Sequence, residues 1–418
     1  MNYNTTKVYS IKREILTFSK KISKNLSRPD QKFVADMLYG ILASGSCLLS
    51  DISDRLSESS KKKNTIDRLS KHLQAGVPEA ALNSYLTMVK SSVPSESIIH
   101  IDDSDVVKPS GQHFESLGRV RDGSKSTATK NVYENGYLVT EACVLNSRND
   151  PISFFSHIHS SHEKEYRSAN TITYQAIERG ATLFDNALFV MDRGYDDNKI
   201  FTLMHSKSQC FVIRLKTNRK LYYKNEFVPV TAIRDSHKGK IKMDAYYHGE
   251  HHEAYVSYVP VLVTEKRIPS TLVLVYGLGE LPMMLLTNRP VANRDDAIHV
   301  ARAYFSRWRI EEYFRCKKQK FNFEDFRVRK LSAMNSLNFY ITLCMTFLAL
   351  INDKPERSQL KYAIFRAAES LRIKVAFNHY RISTGIEKIL RHAQAGVRGW
   401  HKPRRRSRRN LQLMLSFD

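Results

Sequence analysis

Two short apolar runs in this chain each break off into acid. Residues 97–107 read SIIHIDDSDVV, and residues 186–197 read NALFVMDRGYDD. Four or five large apolar residues bounded by turn formers are the pattern of a buried strand. Carboxylates at the end of such a strand are expensive to bury without partners. A chain that does this twice is therefore constrained to a sheet whose strand ends present acid. The intervening sequence says which sheet. YLVTEACVL and DPISFFSHIH read as strands, ANTITYQAIERG and NKIFTLMHSKS as helices, and QCFVIRL as a further strand. Three strands followed by alternating helix and strand predict a mixed α/β sheet.

The flanking regions have other textures. Residues 10–92 are helical in pattern, with Phe33, Met37, Leu38, Ile41 and Leu42 at helical spacing, and Pro94-Ser95 mark a boundary. Residues 216–285 are short strands and turns. From Asn293 to Phe321 the pattern is one long amphipathic helix. The apolar stretch Phe339–Ile351 is too short to span a bilayer and reads as a buried core helix. The opening residues MNYNTTKVYSIKREIL lack an apolar segment and a small-residue cleavage site, so a secretory signal is not expected. The five cysteines are scattered singly, which argues against a zinc site or a disulfide framework. The expectation is a reduced, cytoplasmic protein with no membrane partner.

Charge narrows the partner. The net charge is +24, and it concentrates at the ends. Residues 1–95 carry 15 Lys/Arg against 8 Asp/Glu, and residues 353–418 carry 16 against 5. The sharpest run is RGWHKPRRRSRR, residues 398–409, which includes Arg404, Arg405 and Arg406. It is either a solvated tail or a phosphate-backbone grip, and the basic N-terminal region favours the grip.

A third acid lies on the long amphipathic stretch. At about 100° per residue, Tyr304, Arg307, Glu311 and Lys318 fall within an arc of about 60°. One helix stripe thus carries a phenol, a guanidinium, a carboxylate and an ammonium. An i,i+4 ion pair alone accounts for Arg307 and Glu311. It does not account for acids at two strand ends in the same chain. Asp102 or Asp103, Asp192 and Glu311 together suit two-metal phosphoryl transfer, in which a pair of Mg²⁺ ions about 4 Å apart stabilises the attacking and leaving oxygens.

These residues match a known pattern. Tyr304-x2-Arg307-x3-Glu311-x6-Lys318, within YFSRWRIEEYF and its continuation, resembles the Tyr–Arg–Glu–Lys signature of bacterial DDE transposases of the insertion-sequence-4 type, which include the Tn5 transposase group. FVMDRGYD resembles that family's second-aspartate motif and IDDSD its first. The resemblance covers roughly residues 97–350. It implies a ribonuclease-H-like catalytic core of α/β class, a mixed sheet flanked by helices, interrupted by an all-β insertion. The expected division is a helical DNA-binding region at 1–95, core at 96–215, insertion at 216–285, core again at 286–352, and a basic helical C-terminal region at 353–418.

The resemblance also implies roles. Asp192 and Glu311 become metal-binding catalytic residues, joined by Asp102 through the Asp-x-Ser spacing, with Asp103 left open by the strand alignment. Tyr304, Arg307 and Lys318 become DNA-phosphate contacts. Arg193 and Trp308 also sit at motif positions. Trp308 either stacks on a flipped base or packs in the core. The implied cofactor is a pair of Mg²⁺ ions, replaceable by Mn²⁺. The implied partners are double-stranded DNA at element ends and target, and a second copy of the chain in a synaptic dimer.

Other signals carry less. His248, His251 and His252 with Glu250 and Glu253 suit a polar hairpin turn better than a metal cluster. His157, His159 and His162 lie at a strand end near the acids. Gly277-x-Gly279 lacks a following helix and reads as a hairpin turn. A nuclease without strand transfer, or a non-catalytic DNA-binding regulator, are the rival readings of the same residues.

Overall fold

The computed structural model describes residues 3–398, apart from 128, 248–249 and 370–374. Five helices open the chain: α1 (Tyr3–Ile22), α2 (Arg28–Ser44), α3 (Leu49–Leu56), α4 (Lys62–Gln74) and α5 (Glu79–Ser91). Ser27 caps α2 by accepting from the Asp30 N–H, and Gly45 ends it in the left-handed conformation at φ 64°.

The sheet elements follow: β1 (Ile98–Val107), β2 (Gly118–Arg121), β3 (Tyr133–Leu145), β4 (Pro151–His159), α6 (Ala169–Leu183), β5 (Leu188–Met191), α7 (Asn198–Ser206) and β6 (Cys210–Arg214). β1 runs antiparallel to β3 and parallel to β5, and β5 is parallel to β6. This is the mixed sheet flanked by helices that the sequence predicts.

One detail differs. The Asp102-Asp103 pair does not end β1, which continues to Val107 on its β3 side. What ends there is the other ladder: β1 pairs with β5 only over residues 98–101. Asp102 thus stands at the point where the parallel ladder stops. Asp192 directly follows the last β5 residue and leads into a single 3₁₀ turn at Arg193–Tyr195.

Residues 216–285 hold β7 (Lys220–Tyr223), β8 (Glu226–Pro229), the short helix α8 (Val230–Asp235), β9 (Ile241–Tyr247), β10 (Glu250–Val263), β11 (Ile268–Tyr276) and β12 (Met283–Thr287). The segment is therefore not purely β. Nor does it stand apart from the core sheet. β12 pairs antiparallel with β6, Leu285 opposite Arg214, so the strands form one twelve-stranded sheet.

The chain ends in α9 (Arg294–Phe305), α10 (Trp308–Phe321), α11 (Leu331–Asp353), α12 (Gln359–Ala367) and α13 (His379–Leu390). The single long helix expected over 293–321 is two, broken at Ser306–Arg307. α11 is 23 residues, close to the 331–351 expected from its apolar pattern, and meets the length and composition of a membrane span. It is buried inside the protein, packed between β4 on one side and α2 and α4 on the other. α13 also touches α1 and α2. A single apolar cluster runs from Val8 through β1 and β3 to Val397. The N-terminal helices therefore share an apolar core with β1 and β3.

Close helix contact makes one glycine testable. A Cβ on Gly385 of α13 would lie 2.2 Å from the Ile364 carbonyl oxygen of α12. Backbone cannot yield as a side chain can, so Gly385→Ala should destabilise the protein by about 1–3 kcal/mol. A urea titration would show a lower midpoint. An unchanged midpoint would mean that α13 moves off α12 freely.

Candidate active site

Strand alternation decides which acids meet. His100, Asp102 and Ser104 point to one face of β1, while Ile99, Ile101 and Asp103 point to the other. The β1–β5 register, His100 opposite Val190 and Ile101 opposite Met191, carries Asp192 onto the same face as Asp102. α9 and α10 cover that face. Tyr304, near the end of α9, donates its hydroxyl to Asp192 Oδ1 at 3.3 Å. Arg307, at the break, donates to Asp102 Oδ2 at 3.0 Å and to Glu311 Oε1 one turn on. One guanidinium thus bridges the strand acid and the helix acid.

The electrostatics follow from this crowding. Burial pushes the Asp102 carboxyl up to about 7, and the charges of Asp103 and Asp192 add to it. The Arg307 guanidinium and the Asp103 N–H, which donates to Asp102 Oδ1 at 3.0 Å, pull the other way. Burial also works against the charge on Arg307, but Asp102, Asp192 and Glu311 outweigh it and hold the guanidinium above its ordinary value. Glu311 remains nearly half exposed at its side chain, 45%, so the cluster opens to solvent on the helix side.

Asp103 belongs to a different network. Its Oδ1 accepts from Thr140 Oγ1 at 2.5 Å, and His159 Nε2 lies 2.9 Å from the same hydroxyl. With its one hydrogen given to Asp103, Thr140 accepts from the imidazole. Burial, followed by His157, lowers the His159 pKa to about 4, so this histidine is a neutral donor at pH 7. The His157–His159 pair thus stands beside Asp103, on the face away from Asp192 and Arg307.

The break before α10 has a cause in β1. His100 Nε2 lies 2.9 Å from Ser306 Oγ, which itself donates to the Ala303 carbonyl at 2.7 Å. The imidazole must therefore donate from Nε2. Burial, with Arg307 and Arg309 adding, holds its pKa near 3, so it stays neutral. A buried strand histidine two residues before Asp102 grips the elbow from which Arg307 projects.

The remaining predicted residues lie apart from this cluster. Lys318, two turns along α10, pairs with Asp105 at 3.5 Å and Glu324 at 3.3 Å rather than with the three acids. Arg193 is exposed on the turn after Asp192. Trp308 is partly buried with the Arg309 guanidinium 4.4 Å from its ring. It lines a cavity of about 300 Å³ with Tyr246, Arg302 and Phe305. His251 sits against Asp244 on the β9–β10 hairpin, as a polar turn predicts. Gly277, at φ 88°, turns the chain between β11 and β12. His248, Arg404, Arg405 and Arg406 lie outside the described residues.

Several residues here had no motif to announce them. His100, Thr140 and Glu141 are buried polar groups placed by pairing across the sheet, Lys317 is a buried lysine of α10, and Ser306 is half-buried at the helix break. The nearest sequence signal was a glutamate inside the apolar run TEACVL.

Among the described residues, no group of three or more His, Cys, Asp or Glu side chains already stands as a metal cage. The donor set nonetheless fits a hard divalent cation. Asp102, Asp192 and Glu311 offer carboxylate oxygen alone, with no sulfur, around a point where a cation, the Arg307 guanidinium, already sits.

Two strand aspartates and a helix glutamate thus gather at one sheet face as an all-carboxylate donor set. The transposase DDE domain family matches residues 94–348, from just before β1 into α11. That is more than half of the chain, and the chain belongs to this family of transposases. No curated protein matches it.

Proposed function

We propose that this protein is a Mg²⁺-dependent transposase of the insertion-sequence-4 type, built on a ribonuclease-H-like core with a β-strand insertion. It cuts DNA at the ends of its element and joins the freed 3′-OH to target DNA. The observation that carries this reading is Arg307 bridging Asp102 and Glu311 beside Asp192. Asp102, Asp192 and Glu311 would hold two Mg²⁺ ions, which Mn²⁺ can replace. Bound there, the ions would supply charge neutralisation at the phosphate and acidify water.

The chain's own residues do the rest. A guanidinium and a phenol at the acid cluster suit Arg307 and Tyr304 to scissile-phosphate contact, with Lys318 and Arg193 gripping neighbouring phosphates. Trp308, which lines a cavity and has the Arg309 guanidinium 4.4 Å from its ring, would stack on an extruded base. The basic ends act together. Lys12 of α1 donates to the Ala395 and Gly396 carbonyls at 2.6 and 2.9 Å. This contact holds residues 395–396 against α1. The protein works as a homodimer on paired ends, in the bacterial cytoplasm at the nucleoid.

Purified Glu311→Gln protein should leave end-containing DNA uncut in Mg²⁺ while still shifting it in a gel. Cleavage at the wild-type rate would remove Glu311 from the site. Pre-cut ends discriminate the rival nuclease reading, because a nuclease without strand transfer yields no joined product.

A further inference from the structure

α10 is tied to the sheet at a second point, deeper than the active site. Lys317 and Glu141 are both fully buried, and the Lys317 ammonium lies 3.0 Å from Glu141 Oε2. Ser156 donates to the same oxygen at 2.7 Å, and Asn338 donates to Ser156 at 2.7 Å. The ammonium also reaches Ser156 and Thr342 at 3.3 and 3.4 Å, and it faces the Phe323 ring at 4.9 Å. β3, β4 and α11 each contribute a polar group to this cage.

Its placement relative to the acids is specific. Glu141 is the residue directly opposite Asp102 in the β1–β3 ladder. One rung of that strand pair therefore holds one helix at two heights. Asp102 holds it through Arg307 at the start of α10, and Glu141 holds it through Lys317 ten residues on, about 15 Å along the axis. An ion pair taken out of water is a poor way to gain stability, and an apolar pair of equal volume often does better. What it supplies is register. Apolar contacts tolerate a small slide or roll of a helix, whereas displaced buried charges are left without a partner.

We propose that the Glu141–Lys317 pair is a positioning device for Glu311: it fixes the height and rotation of α10, and so the distance between the helix carboxylate and Asp102. It touches no reacting atom. The assignment rests on the transposase reading of Glu311 for its kinetic consequence, but not for its structural one.

The test replaces both partners, because removing one leaves a buried charge and invites unfolding. In the Glu141→Leu/Lys317→Met protein, a melting temperature at or above wild type and unchanged affinity for end DNA are expected. The cleavage kcat should fall at least tenfold with KM unchanged, and the crystal structure should show α10 shifted and the Arg307–Asp102 ion pair broken. The reversed pair, Glu141→Lys/Lys317→Glu, keeps a directional interaction and should recover part of the rate. An apolar double variant with wild-type kcat and an unmoved α10 overturns the proposal. So does a fall in rate matched by equal falls in DNA affinity and stability, which marks a general structural role. Should the wild-type protein cut no DNA at all, the transposase reading fails by itself, and the position of α10 in the double variant still decides this inference.

Discussion

Asp102→Asn should reduce end cleavage by about a thousandfold or more, whereas Asp103→Asn should stay within about tenfold of wild type. A carboxylate that holds a divalent ion contributes several kcal/mol of transition-state stabilisation, and each 1.4 kcal/mol is about tenfold in rate. Asp102 shares its sheet face with Asp192 and contacts Arg307. Asp103 faces away and accepts from Thr140, a bond that asparagine preserves and that is worth about 1 kcal/mol in any case. Stability should move the other way. The folded Asp102 carboxyl is raised from 3.8 to about 7, chiefly by burial. A raised acid pKa means that ionisation opposes folding. The opposition builds as pH rises from 3.8 to about 7 and is constant above. In EDTA, Asp102→Asn should therefore gain in melting temperature relative to wild type across that window. A dead Asp103→Asn beside an active Asp102→Asn would reverse the assignment.

Much of this site was legible because its chemistry is local. The apolar runs before Asp102 and Asp192, and the spacing of Tyr304, Arg307 and Glu311, are properties of short segments. The choice between Asp102 and Asp103 was not legible. It depends on which face of β1 receives α10, and that is set by pairing with β5, some ninety residues on. The break at Ser306–Arg307 was hidden for the same reason. No proline or glycine marks it, and the group that holds the elbow is His100, on a strand two hundred residues earlier. A helical wheel groups Lys318 with Glu311, and both do lie on α10, but the wheel ignores the roughly two turns of rise between them. In the fold, Lys318 turns to Asp105 and Glu324 instead. The insertion was visible as strands, but its continuity with the sheet comes from the β6–β12 pairing between segments far apart in sequence.

Lys317→Met should cost the fold about 3–5 kcal/mol, while the same change at the neighbouring Lys318 should cost less than about 1 kcal/mol. The two lysines are adjacent in sequence and opposite in circumstance. Lys317 and Glu141 are fully buried, so methionine leaves a carboxylate in the core with only Ser156 as a donor, and Glu141 Oε1 has no partner even in the intact protein. An uncompensated buried charge carries a penalty of that size. Lys318 is about a fifth exposed, at 21%, and its acids are at 3.3 and 3.5 Å. Asp105 and Glu324 keep access to water when it is removed, and ion pairs of this kind contribute little. Guanidinium titration followed by circular dichroism would separate the two variants by their midpoints. Adding Glu141→Leu to Lys317→Met should return the midpoint to the wild-type value or above, since the stranded carboxylate is the source of the penalty. If the second substitution restores nothing, the penalty lies in packing around the lysine stem, and the charge pair is not what holds α10 to β3.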